Sequence, residues 1–280
     1  MKALLKFCIV ATVLVCAIQL YAQDDLNFYP DFASMPEHLG ILTVDTSHPK
    51  LANSKPVYVF TKEDALWTAR FVEGESGVKN EADGHAVIWA MLNRFGMLRH
   101  RNPGWSSFAN FLRLYSTTLQ PYFKNVNAAK RAIANDAEDP VRWAIKKTGG
   151  YYDGTDIPKV QYLRHLNIQK KEWKNINADT RKMVIAILRG ETPNPGIGIA
   201  TDFAGIHIYM RDTFRAKYKG KDIPEAEWIA YTENHATKKG WAWIGQKENL
   251  NQMKKNAFFI MNEFKGVSDN VIDIIPYKDF

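Results

Sequence analysis

Glu73 and Glu75 stand one glycine apart in the stretch Val-Glu-Gly-Glu-Ser-Gly at 72–77. A carboxyl can act as a general acid on a glycosidic oxygen only while it still carries its proton. Burial, or a negative neighbour or dipole end, raises a carboxyl pKa and keeps that proton in place. The surrounding pattern is helical. Thr61 is an N-cap with Asp64 at the capping-box position, Leu66, Ala69 and Val72 form an apolar stripe, and Ser76-Gly77 ends the helix. Glu75 therefore falls in the last turn, where the C-terminal end of the macrodipole disfavours negative charge. Two residues along a helix are about 200° apart, so Glu73 faces the other way, on the side of Ala69 and Arg70. An ion pair with Arg70 would keep Glu73 ionised and structural. Helix geometry alone makes Glu75 no more than a solvated helix end.

Other chemistries lack their residues. The chain has no HExxH, no P-loop and no GxGxxG after a strand, and its serines form no G-x-S-x-G elbow. His85, His165, His207 and His235 have no ligand-like spacing, so neither a metal nor a cofactor is expected. The two cysteines, Cys8 and Cys16, both lie near the N-terminus. There Lys2 and Lys6 precede the apolar run FCIVATVLVCAI and the small residue Ala22, the pattern of a signal peptide over 1–22. An uncleaved anchor, or a lipoprotein processed at Cys16 behind bulky Val residues, are the alternatives. Cleavage leaves no disulfide, no thiolate nucleophile and no stable membrane span, which excludes cysteine peptidases.

The 37 basic and 30 acidic residues give a net charge of +7. Removing Lys2 and Lys6 leaves +5 on an exported, periplasmic or extracellular chain. For such a chain no nucleic-acid partner is expected; the expected polyanion is peptidoglycan, teichoic acid or an anionic membrane face, the alternative being that modest basicity only aids solubility.

The elements that must position the carboxylates read as follows. Residues 23–57 are an extended N-terminal arm leading to a strand-like 56–60. A mostly α domain covers 58–265, with a C-terminal tail at 266–280. Its second helix begins near Asn80, buries Ala86, Val87, Ala90 and Met91, and stops at Gly96. Further helices are expected at 106–115, 127–147, 168–175 and 178–189, the last with Met183, Ile187 and Leu188 on one side and Gly190 after it. Residues 192–198 are a Pro/Gly loop, and 200–210 read equally as helix or strand. Beyond them helical pieces run to about 264. Trp89 and Trp105 read as core residues rather than sugar platforms.

The segment ARFVEGESGVKNEADGHAVIWAMLNRF at 69–95 resembles the helix–loop–helix signature of the spore-cortex-lytic cell-wall hydrolases, in which an A-R-x-x-x-x-E helix end precedes an A-V-x-x-x-x-L-N-R helix. The Glu-Ser-Gly triplet is similar to the catalytic motif of soluble lytic transglycosylases and goose-type lysozymes. Both likenesses fall on Glu75. Downstream, Gly198, Ala200 and Phe203 are similar to the family's G-A-x-x-F pattern, with Ile199 between the glycine and the alanine, and WAWIG at 241–245 resembles the family's tail. Where the family often has a second acid, four residues after the first, this chain has Lys79, and Gln246 follows Ile-Gly where a His is usual.

The resemblance implies a lysozyme-like, mostly α domain, with at most a small β element, that cleaves the MurNAc–GlcNAc β-1,4 bond of peptidoglycan glycan strands. Glu75 would be the catalytic acid and base. Ser76, Thr201, Asp202 and Tyr209 would bind substrate, with Glu73, Asn93 and Arg94 in support. Asp202 and Glu73 are the available second carboxylates, neither compelling, so a single-acid, transglycosylase-like route has the edge over hydrolysis. The alternative is a catalytically inactive peptidoglycan-binding or structural envelope protein. A lysin aimed at other cells, with an immunity partner, would use the same chemistry.

Overall fold

The strand-forming power of Leu39, Ile41, Leu42 and Val44 decides the architecture. In the computed structural model, which describes residues 29–75, 81–116, 118–119, 159–206, 224–245 and 256–278, they belong to β1 (His38–Val44), the middle strand of an antiparallel sheet. Its neighbours are β2 (Val57–Thr61) and β6 (Ile272–Pro276), so that Leu42 lies opposite Tyr58 on one side and Ile274 on the other. The chain divides into units at 1–35 and 36–280. The first contributes a 3-10 turn, Phe32–Ser34, capped by the Asp31 carboxylate; everything that follows concerns the second.

Between the outer strands run the helices. Helix α1 (Lys62–Glu75) follows β2 directly, then α2 (Glu81–Leu98), α3 (Phe108–Tyr115), α4 (Lys159–Gln169) and α5 (Ala178–Leu188). Helix α1 packs on α3, α4 and α5, and α2 lies across α5 and β1. Rings from three elements lock this half together. Tyr58 and Phe60 of β2, Phe95 of α2, and Phe108 and Phe111 of α3 meet mostly edge to face, with centroids 4.9–5.8 Å apart, the arrangement that the ring quadrupoles favour.

A second antiparallel sheet has the order β3-β5-β4, formed by β3 (Asp202–Ala204), β4 (Trp241–Trp243) and β5 (Ala257–Met261). Helix α6 (Glu225–Lys239) leads into β4 and buries Trp228 and Ala236 against Ala257, Phe259 and Ile206.

These sheets overturn the expectation of a mostly α, lysozyme-like domain: the chain mixes six helices with two three-stranded antiparallel sheets among the described residues. The physical reason lies in short apolar runs. HLGILTV sits inside the stretch read as an extended arm, and IDIIP inside the stretch read as a tail, yet each pairs along a full strand. AFFIM, WAW and DFA are too short to show a period, and became strands through one another. Two local expectations also differ. Gly96 does not stop α2, which runs on to Leu98. A side chain there would sit 2.8 Å from Ile272 Cδ1 and 3.3 Å from Val44 Cγ2, so the glycine lets the helix lie on the sheet. The helix expected at 168–175 ends at Gln169 and resumes only as a 3-10 turn at Trp173–Asn175. The Lys171 carbonyl accepts from Arg70 Nε at 2.9 Å instead of continuing the helix, and Trp173 turns inward and is buried. Helices α3 and α5 fall where the periodicity places them. The helix expected at 127–147 and the segment 1–22 lie outside the described residues.

Candidate active site

Helix α1 carries a carboxylate near each end, and each is held by an end of α3. At the N-terminal end Asp64 completes the capping box with Thr61: the Thr61 amide donates to Asp64 Oδ2 at 2.9 Å, and the Asp64 amide to Thr61 Oγ1 at 3.3 Å. The same carboxylate accepts from the Tyr58 hydroxyl at 2.9 Å and, through Oδ1, from the Ala109 amide in the first turn of α3 at 2.8 Å. The helix N-terminus and these hydrogen bonds favour the carboxylate, but burial outweighs them and raises the Asp64 carboxyl above its ordinary value.

At the other end Ser116, the residue after α3, donates its hydroxyl to Glu75 Oε1 at 2.5 Å. Thr118 adds a second hydroxyl contact to the same carboxyl. The approach is close because residue 74 is glycine: a Cβ there would overlap the Thr118 side chain. A glycine inside a helix costs about 1 kcal/mol relative to alanine, and here it lets the 116–118 turn reach Glu75. Burial pushes the Glu75 carboxyl above the ordinary range, against the opposing hydrogen bonds of Ser116 and Thr118 and the charge of Arg164 on α4. Glu75 is also the last residue of α1, where the macrodipole acts in the same direction as burial.

Glu73 points elsewhere, as helical rotation requires. Its carboxylate is buried, 2.5 Å from Lys171 Nζ, and accepts the Asn177 amide at 2.8 Å. The expected partner, Arg70, instead binds the Lys171 carbonyl and lies over the Trp67 ring at 4.4 Å. Glu73 ties α1 to the turn that begins α5.

The remaining residues assemble on α2. Asn93 is fully buried and donates to the carbonyls of Gly198 and Ala200, both at 2.9 Å, which pins the loop before β3 onto the helix. The next residue, Arg94, forms an ion pair with Asp202 and places its guanidinium 5.1 Å from the centre of the Tyr115 ring. Asp202 also accepts from Thr201 Oγ1 at 2.8 Å, and the Tyr115 hydroxyl acts on the same carboxyl. Burial pushes the Asp202 carboxyl up to about 6, against the pull of Arg94, Thr201 and Tyr115. The Tyr115 hydroxyl is pushed up as well, by burial first and by Asp202 next, and it feels the Glu75 charge.

Thr201 and Asp202, expected to bind substrate, are buried. Thr201 has no exposed surface, and its hydroxyl both donates to Asp202 and accepts the Met261 amide at 3.2 Å. Asp202 is committed to Arg94. Ser76 and Tyr209 lie outside the described residues. Trp89 is a core residue, and Trp105 packs on Phe111 with centroids 4.6 Å apart. Reading the sequence missed Tyr115, Ser116 and Thr118. The only signal was a run of hydroxyl residues just past the end of a short apolar helix.

Among the described residues no group of His, Cys, Asp and Glu is placed to hold a metal ion, and no helix is long and apolar enough to cross a membrane. Among the described residues burial raises three carboxyls, Asp64, Glu75 and Asp202; Asp64 is engaged by the Tyr58 and Thr61 hydroxyls and by two backbone amides, whereas Glu75 stands at a helix end held by hydroxyls. The third, Asp202, is neutralised by an arginine. Comparisons with protein-family models, curated proteins and solved structures gave no match, so the site stands on its own geometry.

Proposed function

We propose that the chain is an exported peptidoglycan-cleaving glycosidase in which Glu75 is the general acid and base. The observation that carries this reading is the environment of Glu75: a helix-end carboxyl, largely buried, raised above the ordinary range and oriented by Ser116. Those are the conditions for a carboxylic acid that meets a leaving oxygen while still protonated. Glu75 would protonate the glycosidic oxygen of the MurNAc–GlcNAc bond as the C1–O bond breaks. As carboxylate it would then take the proton of the muramyl C6 hydroxyl as that oxygen closes on C1, which gives an anhydro end. Hydrolysis would need a second carboxylate to direct water. Burial and the Arg94 ion pair withdraw Asp202 from that task, and Glu73 is engaged by Lys171. These commitments favour the single-acid route.

The test is digestion of purified sacculi followed by mass spectrometry of the released muropeptides. Anhydro ends from the wild type, and none from a folded Glu75→Gln variant, are expected. Full activity in that variant removes Glu75 from the chemistry. Sacculi that are bound but release nothing would favour a non-catalytic envelope-binding protein.

A further inference from the structure

We propose that Tyr115 is a positioning residue for Glu75, seated by the Arg94–Asp202 pair so that Ser116, the next residue, holds its hydroxyl on the Glu75 carboxyl. The proposal deepens the reading of Glu75 as the acid and rests on it. Three observations carry it. Tyr115 and Ser116 are consecutive at the end of α3, yet they serve two different carboxyls: Ser116 donates to Glu75, and the Tyr115 hydroxyl acts on Asp202. The Tyr115 ring has few ways to move, because Arg94 lies over it at 5.1 Å and Phe111 and Phe203 flank it, with centroids at 5.6 and 6.4 Å. Asp202, the first residue of β3, is itself fixed from two sides, by Arg94 of α2 and by Thr201 in the loop just before the strand. The path therefore runs from α2 through Asp202 to the end of α3, and from there to the end of α1. Asp202 acts in it as an anchor, not as the second carboxylate of a hydrolase.

Among the described residues the groups that face Glu75 are Ser116 and Thr118 after α3, Tyr115 within it, and Arg164 of α4. Those among them that face Asp202 are Arg94, Thr201 and Tyr115. The Ser116 hydroxyl favours the Glu75 carboxylate, so loosening it raises the Glu75 midpoint. A general acid must be protonated, so a higher midpoint moves the basic limb of the rate profile to higher pH.

The experiment uses the whole chain, with carbon-13 in the glutamate carboxyl groups, the Glu75 signal being assigned by its loss in Glu75→Gln. Tyr115→Phe removes the hydroxyl and keeps the ring. Its Glu75 midpoint is expected to rise toward that of Ser116→Ala, with kcat on sacculi lower by roughly one to two orders of magnitude and KM unchanged. Asp202→Asn, which weakens the anchor from its other side, should move the midpoint in the same direction, and serves if Tyr115→Phe does not fold. A tyrosine that only fills space would lower the melting temperature and leave the Glu75 midpoint in place; that result overturns the proposal. If wild-type protein leaves sacculi intact, the glycosidase reading fails by itself, and the NMR midpoints still decide whether Tyr115 sets the state of Glu75.

Discussion

Two glutamates one residue apart have opposite assignments because a helix separates them by rotation and their neighbours differ in kind. Glu73 meets a cation and an amide; Glu75 meets hydroxyls and burial. Substitution should separate them. Glu73→Gln leaves Lys171 without its carboxylate, and removing one partner of a buried charge pair is costly. It should destabilise the protein by about 2 kcal/mol in urea titrations while activity per folded molecule persists. Glu75→Gln should do the reverse: muralytic activity lost, urea midpoint little changed or raised, since a desolvated carboxyl is removed. Equal loss of stability in both variants would make Glu75 another structural residue. The pH dependence follows from the same burial. Because the Glu75 carboxyl is raised, activity should persist above the ordinary carboxylate range and fall only as pH passes its midpoint, which a rate profile on sacculi would read.

At the scale of elements, the seam between α1 and α3 is fixed at both ends. Asp64 gathers donors from β2, from its own cap and from α3, so Asp64→Ala would orphan several of them. Each buried donor left unpaired costs on the order of 1–3 kcal/mol, and a total loss of about 3 kcal/mol is expected from thermal melts. Gly74→Ala would favour the helix by propensity yet strike Thr118. It should cost activity out of proportion to stability; a stabilised and fully active variant would show that the close approach is unimportant. What could be read beforehand follows the same division. The capping box at Thr61, the opposite facing of Glu73 and Glu75, and the limits of α3 and α5 are local patterns, and they stood in the sequence. The partners of those residues come from chain segments far away: Ser116 for Glu75, Lys171 for Glu73, Arg94 for Asp202. No spacing rule links them. The Arg70 pair expected for Glu73 failed for that reason, since a lysine some hundred positions on was better placed.

For the whole molecule, the decisive event is the return of the last strand to the first. β1 is not legible in the sequence, because its stretch reads as an extended arm; of its two partners β2 reads as strand-like, while β6 lies in the stretch read as a tail. Removing residues from 266 onward deletes β6 and bares the β1 edge, an invitation to association between chains. Such a truncation should lose cooperative melting and scatter light on warming; a cooperative melt at the full-length temperature would show that β6 is dispensable. Asp202 also leaves a global trace. Its folded carboxyl is raised to about 6 from 3.8, so its contribution to stability is fully present below pH 3.8 and is lost as pH rises through about 6. The melting temperature should decline across that interval by circular dichroism, and Asp202→Asn should flatten the decline. The eight-residue helix α3 has one more consequence. It is bolted to Asp64 at its start and to Glu75 just past its end, so it works as a gauge block between two fixed marks. One extra residue in it would turn Ser116 by about 100° and carry it about 1.5 Å onward. Among descendants of this chain, the length of 109–116 should therefore tolerate insertion less well than its composition tolerates exchange.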